Sequence, residues 1–197
     1  MARRIVHLLS MAVVAVVATG CGKTAPSRFY TLDATATADG AAAARYAVVV
    51  GPVSVPASVD RPQFVVQVAP NRVAIDEFNR WAAPLGDSIA RAVAGNLAVL
   101  LGTPRVATAP LANFDPAYRV TIDVQRFEST PGHGVLVDAV WVVGAVAGGK
   151  TRSGRTLAPE TAPSGDFDAL AAALSRALAT VSGDIAAAIR AEAGKKP

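Results

Sequence analysis

The spacing of apolar side chains along this chain changes three times, and those changes limit what it can fold into. From Tyr46 to Val55, YAVVVGPVSV, and from Phe64 to Val68, the residues are largely β-branched or aromatic. Such side chains suit the pleated surface of a sheet. From Leu85 to Leu100 the apolar positions Leu85, Ile89, Val93, Leu97 and Leu100 recur at steps of three and four. That is the stripe of an amphipathic helix facing a sheet. Between Tyr118 and Phe127 the period returns to two: Tyr118, Val120, Ile122 and Val124 alternate with Arg119, Thr121, Asp123 and Gln125. A second helical stripe runs through Phe167, Leu170, Leu174, Leu178, Val181, Ile185 and Ile189. Strands, helix, strands, helix define an α/β fold. The expectation is a mixed β-sheet with helices packed on it, a three-layer α/β sandwich, in a single domain over residues 46–192.

Turn residues punctuate this order. Gly51-Pro52 interrupts the first strand, and proline cannot donate a ladder bond, so that point is an edge or a bulge. Asp60-Arg61-Pro62 reads as a turn and Ala69-Pro70-Asn71-Arg72 as a hairpin connection. The strand after it, Val73 to Phe78, is expected to turn Val73 and Ile75 inward against Ala74 and Asp76. Pro84 suits the first turn of the helix, and Gly102 with Pro104 ends it. A further strand fits Arg105 to Thr108. Pro131 to Gly134 joins the Tyr118 strand to a longer apolar one, Val135 to Val146, and Gly148-Gly149 leads to an outer strand over Lys150 to Leu157. Ser164 or Asp166 can cap the last helix, Gly194 stops it, and residues 193–197 form a tail. Ahead of the sheet, Arg28 to Leu32 fits a short strand. Residues 33–44, DATATADGAAAA, hold no large apolar side chain and are expected to form a loop or flexible arm.

The N-terminus follows different rules. Arg3 and Arg4 are followed by the mostly apolar Ile5 to Val17 and the small residues Ala18-Thr19-Gly20. This is the layout of a secretory signal. The run is shorter than the ~20 apolar residues of a spanning helix, and Lys23 follows soon after. Cys21 is the only cysteine, so it has no internal disulfide partner. Small residues ending in Gly-Cys resemble the lipobox of bacterial lipoproteins, although Ala18 stands where that motif usually has Leu. The resemblance implies cleavage before Cys21 and acylation of its sulfur. One acyl chain holds a protein only marginally, whereas two or three on one residue make a durable anchor. On this reading residues 1–20 are a lipoprotein signal peptide. Residues 21–45 are a lipidated N-terminus with a short strand and an arm, and Cys21 is the lipid attachment site. Gly22, in place of Asp, matches the pattern of delivery to the outer membrane.

Charge excludes one class of partner. The net charge is +4, but Arg3 and Arg4 supply two of those units. The rest shows no basic stripe, so no nucleic acid is expected as a partner. Chemistry is equally sparse. His133 is the only histidine beyond the signal and sits between two glycines in a turn. No His and Cys spacing fits zinc, no G-x-S-x-G elbow is present, and the glycine pairs belong to hairpins rather than to a phosphate cradle. Asp76 and Glu77 point to opposite faces of a strand. Asp166 and Asp168 suit a helix start. No catalytic residue, cofactor or metal is therefore expected. One segment stands apart: Asn79-Arg80-Trp81-Ala82-Ala83-Pro84-Leu85. Trp and Arg are enriched in interface hot spots. Two readings stay open here. Either the pair contacts a partner, or Trp81 fills the gap between helix and sheet while Arg80 caps or pairs nearby.

The motif order after Cys21 is Phe29-Tyr30-Thr31-Leu32, then Val50-Gly51-Pro52-Val53 and Val55-Pro56, then Asp60-Arg61-Pro62-Gln63-Phe64-Val65, then the Asn79 to Leu85 segment. It resembles the ABC-type transport auxiliary lipoproteins, the PqiC-like family, over nearly the whole chain beyond the signal. The R-P-Q and R-W-x-x-P-L stretches are its specific parts. The resemblance implies a three-layer α/β fold and a non-enzymatic, lipid-anchored auxiliary subunit of an MCE-type ABC transport system. Such a subunit docks the periplasm-spanning components at the periplasmic face of the outer membrane, for lipid transport or membrane integrity. Its partners would be the membrane through acylated Cys21 and the MCE-domain and permease subunits. A homo-oligomer or a bound phospholipid would be compatible with that role. Arg61, Arg80 and Trp81 are the candidate partner-binding residues. The alternative is a periplasmic carrier that holds an acyl chain, which requires a continuous apolar cavity between sheet and helix. An envelope hydrolase needs a nucleophile beside a base, which a lone turn histidine does not offer.

Overall fold

A computed structural model describes residues 25–109, 113–148 and 151–194; the expected signal peptide, residues 1–20, and the expected lipid attachment site Cys21 lie outside the described residues. The strands form two sheets. The large sheet contains β2 (Val48–Ser54), β5 (Val106–Thr108), β6 (Tyr118–Thr130), β7 (Gly134–Ala145) and β8 (Arg152–Thr161), in the order β5-β2-β6-β7-β8. The small sheet contains β1 (Arg28–Tyr30), β3 (Gln63–Ala69) and β4 (Arg72–Trp81), in the order β1-β4-β3. Two helices complete the fold, α1 (Leu85–Leu100) and α2 (Phe167–Ala193). The expected α/β class, mixed sheet with helices packed on it, is what the chain adopts.

The large sheet is mixed because β2 runs parallel to both neighbours while β6, β7 and β8 form an antiparallel meander. A strand flanked on both sides under a helix reads as a continuous apolar run, and Val48, Val49 and Val50 are all buried. Gly51-Pro52, joined by a cis peptide bond, marks a register shift between Val50 and Val53. The interruption is thus a bulge within the sheet and not an edge. Both helices lie on one face, α1 over β2 and β5, α2 over β7 and β8, and they pack on each other. Between helices and sheet, Val50, Ile89, Leu97, Val120, Val137, Leu174, Leu178 and Ile185 are essentially without exposure. Each such side chain contributes about 1.5–3 kcal/mol through burial. Asp166 caps α2, its Oδ1 accepting the Ala169 N–H at 2.7 Å. The length and composition of α2 would suffice to cross a bilayer, but most of its apolar window is buried inside the domain.

Trp141 ties three elements together. Its Nε1 donates to Thr156 Oγ1 at 3.0 Å, and that hydroxyl donates to Asp184 Oδ2 at 2.6 Å. The indole lies over Gly154, where an added Cβ would come within 2.3 Å of the ring.

The small sheet attaches at one end of this body through aromatic rings. Phe64 stacks on Trp81 at 4.5 Å between centroids, Tyr30 and Phe167 meet Phe64 edge-on at 5.8 and 5.1 Å, and Trp81 reaches Phe127 of β6 at 6.2 Å. The expectation for Val73 and Ile75 is corrected here: both are exposed, as are Arg72 and Ala74. The β3–β4 hairpin projects past the elements that cover its base, so alternation at its tip has no core to face.

Residues 33–44, expected to be a loop or a flexible arm, form a loop. It is extended and pinned across the two helices. Asp33 N–H donates to Ser175 Oγ at 3.1 Å, and the N–H groups of Thr35 and Ala36 both donate to Asn96 Oδ1 at 2.8 Å. Asp39 forms a two-pronged bond with Arg190 at 2.7 and 3.1 Å, which holds its carboxyl below the ordinary range. Arg190 also donates to the Leu100 carbonyl. Ala44 N–H closes the segment onto Leu101 O at 2.8 Å. Asn96 is fully buried and donates to Ser182 Oγ at 3.3 Å, so its amide serves strap and helix pair together. Gly95 makes the close approach possible, since a Cβ there would lie 2.7 Å from Ala34 Cβ.

Candidate functional site

The turn before β3 and the link from β4 to α1 are held side by side. Asp60 and Val59 donate their N–H groups to Pro56 O at 3.1 and 3.0 Å, which tightens the turn. Trp81 N–H donates to Pro62 O at 2.7 Å, and Ala82 N–H to Tyr30 O at 2.9 Å. The two sequence stretches R-P-Q and R-W-x-x-P-L therefore meet in space. Between them lies a cleft of about 330 Å³, lined by Asp60, Arg61 and Pro62 from the turn and by Trp81, Ala83, Pro84 and Leu85 from the link.

Its chemistry sets the side chains of Asp60 and Arg61 against an apolar wall. Arg61 makes no ion pair among the described residues, and its Nε is buried without a hydrogen-bond partner. Helix α1 begins at Pro84 with no side chain bonded to its first N–H groups, and Asp87 lies in its first turn. Free N–H groups at a helix start carry partial positive charge. Trp81 is 6% exposed. It packs between the two sheets against Phe64 and Phe127 and also borders the cleft.

Arg80 is not brought into the cleft. Its register opposite Phe29 and Gln63 places it on the other face of the strand from Trp81. Its Nε is buried and without a partner among the described residues. The cleft thus unites Arg61 and Trp81 and leaves Arg80 on the adjoining surface. Asn96 and the strap were not among the sequence candidates; a polar residue within the apolar stripe of α1 was the signal.

The other concavities show no reactive pairing. An open depression of about 600 Å³ at the end of the β6–β7 hairpin includes His133, Glu128 and Glu160. His133 Nδ1 lies 3.2 Å from Pro131 O, Glu128 is paired with Arg126 at 2.7 Å, and Glu160 with Arg176 at 3.0 Å. Among the described residues no three His, Cys, Asp or Glu side chains gather into a metal-binding group. On the face of the large sheet away from the helices, Asp138 is buried and bonded by Arg155 at 2.8 and 2.6 Å. That guanidinium holds the Asp138 carboxyl below the ordinary range against the opposing push of burial. The acyl-chain carrier finds no support: fully buried side chains fill the space between helices and sheet.

With this geometry in view, comparison with known proteins gives the class. A family model described as the ABC-type transport auxiliary lipoprotein component matches residues 30–186. The chain belongs to that family, and with it to the accessory components of ABC transport systems. A crystal structure of an uncharacterised protein aligns at a TM-score of 0.70 with 20% identity, covering 84% of this chain and 99% of the other. A structure of a DUF330-family protein from Xanthomonas campestris aligns at 0.69 with 19% identity, over 84% and 99% of the two chains. At such identities the likeness is one of fold. Among curated proteins, none matches the sequence.

Proposed function

We propose that this chain is a non-enzymatic, lipid-anchored auxiliary subunit of an MCE-type ABC transport system. Acyl chains on Cys21 hold it at the periplasmic face of the outer membrane. There it docks the periplasm-spanning components for lipid transport or membrane integrity. The observation that carries the reading is the convergence of the R-P-Q and R-W-x-x-P-L stretches on one cleft in a chain of the transport auxiliary family.

The cleft is the proposed contact for a partner subunit. An unpaired guanidinium beside apolar Trp81, Pro84 and Leu85 suits an acidic side chain flanked by an apolar one. Arg80 extends that contact on the neighbouring face.

The test is affinity purification of the lipidated protein from membranes, with mass spectrometry of what comes with it. MCE-domain and permease subunits are expected with the wild type. Their recovery should fall about tenfold or more for Arg61→Glu, as for a reversed charge at a desolvated contact. Radiolabelled palmitate should enter the wild type and not Cys21→Ser. Recovery of no transporter subunit, or equal recovery with Arg61→Glu, would count against the docking role.

A further inference from the structure

Among the described residues, the small sheet carries most of the exposed large apolar side chains. Five of those eight belong to it, Phe29, Val68, Val73, Ile75 and Phe78, although its three strands hold a minor share of the chain. Phe29 is 64% exposed, Val73 50% and Ile75 43%. Ala74 is exposed as well, so the hairpin tip is apolar on both faces. A strand with one wet face normally keeps polar groups on that face. A cluster of exposed apolar groups marks a contact surface.

The direction of β1 says which contact. β1 runs parallel to β4, with Arg28 opposite Asn79. The chain therefore enters β1 from the end of the sheet where β4 begins, at the hairpin turn. Cys21 precedes Arg28 by seven residues, and Arg72 precedes Asn79 by the same number. At ~3.3–3.6 Å per residue the link spans at most about 25 Å. An acylated Cys21 thus lies within reach of the level of the tip. Exposed Arg72 lies beside the apolar residues at that end, whereas Arg28 and Phe29 stand at the other end of the sheet, opposite Asn79 and Arg80. The carboxylates of β4, Asp76 and Glu77, stand back from Arg72 toward the base of the strand, and Asp76 Oδ1 accepts from Phe78 N–H, Asn79 N–H and Asn79 Nδ2 at 2.9, 2.8 and 3.0 Å.

We infer that the tip of the β3–β4 hairpin rests in the headgroup layer of the bilayer that holds the Cys21 acyl chains, an inference that depends on the acylation proposed above. The apolar side chains Val68, Val73 and Ile75 enter the boundary between headgroups and acyl chains, and Arg72 binds a lipid phosphate. An apolar patch with a flanking cation binds an interface in this way. The protein is then held by its acyl chains and oriented by the hairpin, which turns the rest of the domain toward the periplasm.

The single cysteine makes the test clean, since an acylated Cys21 leaves no free thiol. Val68→Cys, Val73→Cys and, as a control on the large sheet, Leu157→Cys are purified from membranes and labelled with a thiol-reactive NBD fluorophore. They are then reconstituted into vesicles of phosphatidylethanolamine and phosphatidylglycerol. Positions 68 and 73 should show blue-shifted emission, quenched severalfold by nitroxide-labelled lipids, while position 157 shows neither. Equal, unquenched emission at 73 and 157 would overturn the inference. A blue shift at 73 that nitroxide lipids do not quench and dilution abolishes would also overturn it, in favour of a second copy of the chain. Failure of the anchor is read separately: the wild type would take up one label, and each variant two.

Discussion

The two sheets are built from the same kinds of strand residue, yet they meet different surroundings. The large sheet lies under α1 and α2, and its helix-facing side chains are shut from water. The small sheet gives Tyr30, Phe64 and Trp81 to the body and leaves its hairpin tip bare on both faces. Val120 in β6 and Val73 in β4 each sit in an alternating strand, but only Val120 has a layer above it. Alternation identifies a strand; what covers it is decided by elements far away in sequence.

The comparison breaks first, if it breaks at all, in unfolding experiments on single truncations. Leu174→Ala removes a fully buried side chain between α2 and the large sheet and should cost about 2–5 kcal/mol. Ile75→Ala at the hairpin tip should stay within about 0.5 kcal/mol. Urea midpoints of equal size for the two would show that the tip is packed after all.

Two variants sharpen the account of the covered side. Asn96→Ala leaves the Thr35 and Ala36 N–H groups without their acceptor and should cost about 1–3 kcal/mol. Hydrogen exchange at those two amides should rise at the same time; unchanged protection would mean the strap holds without Asn96. Gly154→Ala drives a methyl into the Trp141 ring and should cost about 1–3 kcal/mol by overpacking, with a change in tryptophan emission.

The smallest effect concerns pH. Bonding by Arg155 depresses the Asp138 pKa in the folded state. The pair therefore contributes stability above the unfolded value of about 3.9, and that contribution is lost as pH falls through the lower folded value. Asp138→Asn should flatten the fall in stability over this acid range, measured by urea unfolding from pH 5 downward. The size is modest, because Arg155 is 64% exposed and water screens the pair. An acid limb as steep in the variant as in the wild type would remove Asp138 from the explanation.

Local chemistry made part of this legible in the sequence. The stripe from Leu85 to Leu100 matches α1, the Phe167 stripe falls on α2, and Asp166 is the cap. Alternation from Tyr118 lies on β6, which continues to Thr130 beyond a bulge near Gln125. The two specific motifs did mark one place, the Arg61–Trp81 cleft. Arg80 fell away from it because neighbours on a strand face opposite sides. The division into two sheets was not legible, since nothing local records which strands pair. Nor was the strap: its backbone bonds go to Asn96 and Ser175, far along the chain, and a small-residue segment looks the same whether pinned or free.

The strap also has a mechanical consequence. A pull on the chain ahead of Arg28 runs along β1, so its bonds to β4 are loaded in shear and must rupture together. Beyond β1 the tension reaches residues stitched to both helices through Ser175, Asn96 and Arg190. Traction on the leading end is thereby spread over the helix pair before it can peel β2 from the middle of the large sheet.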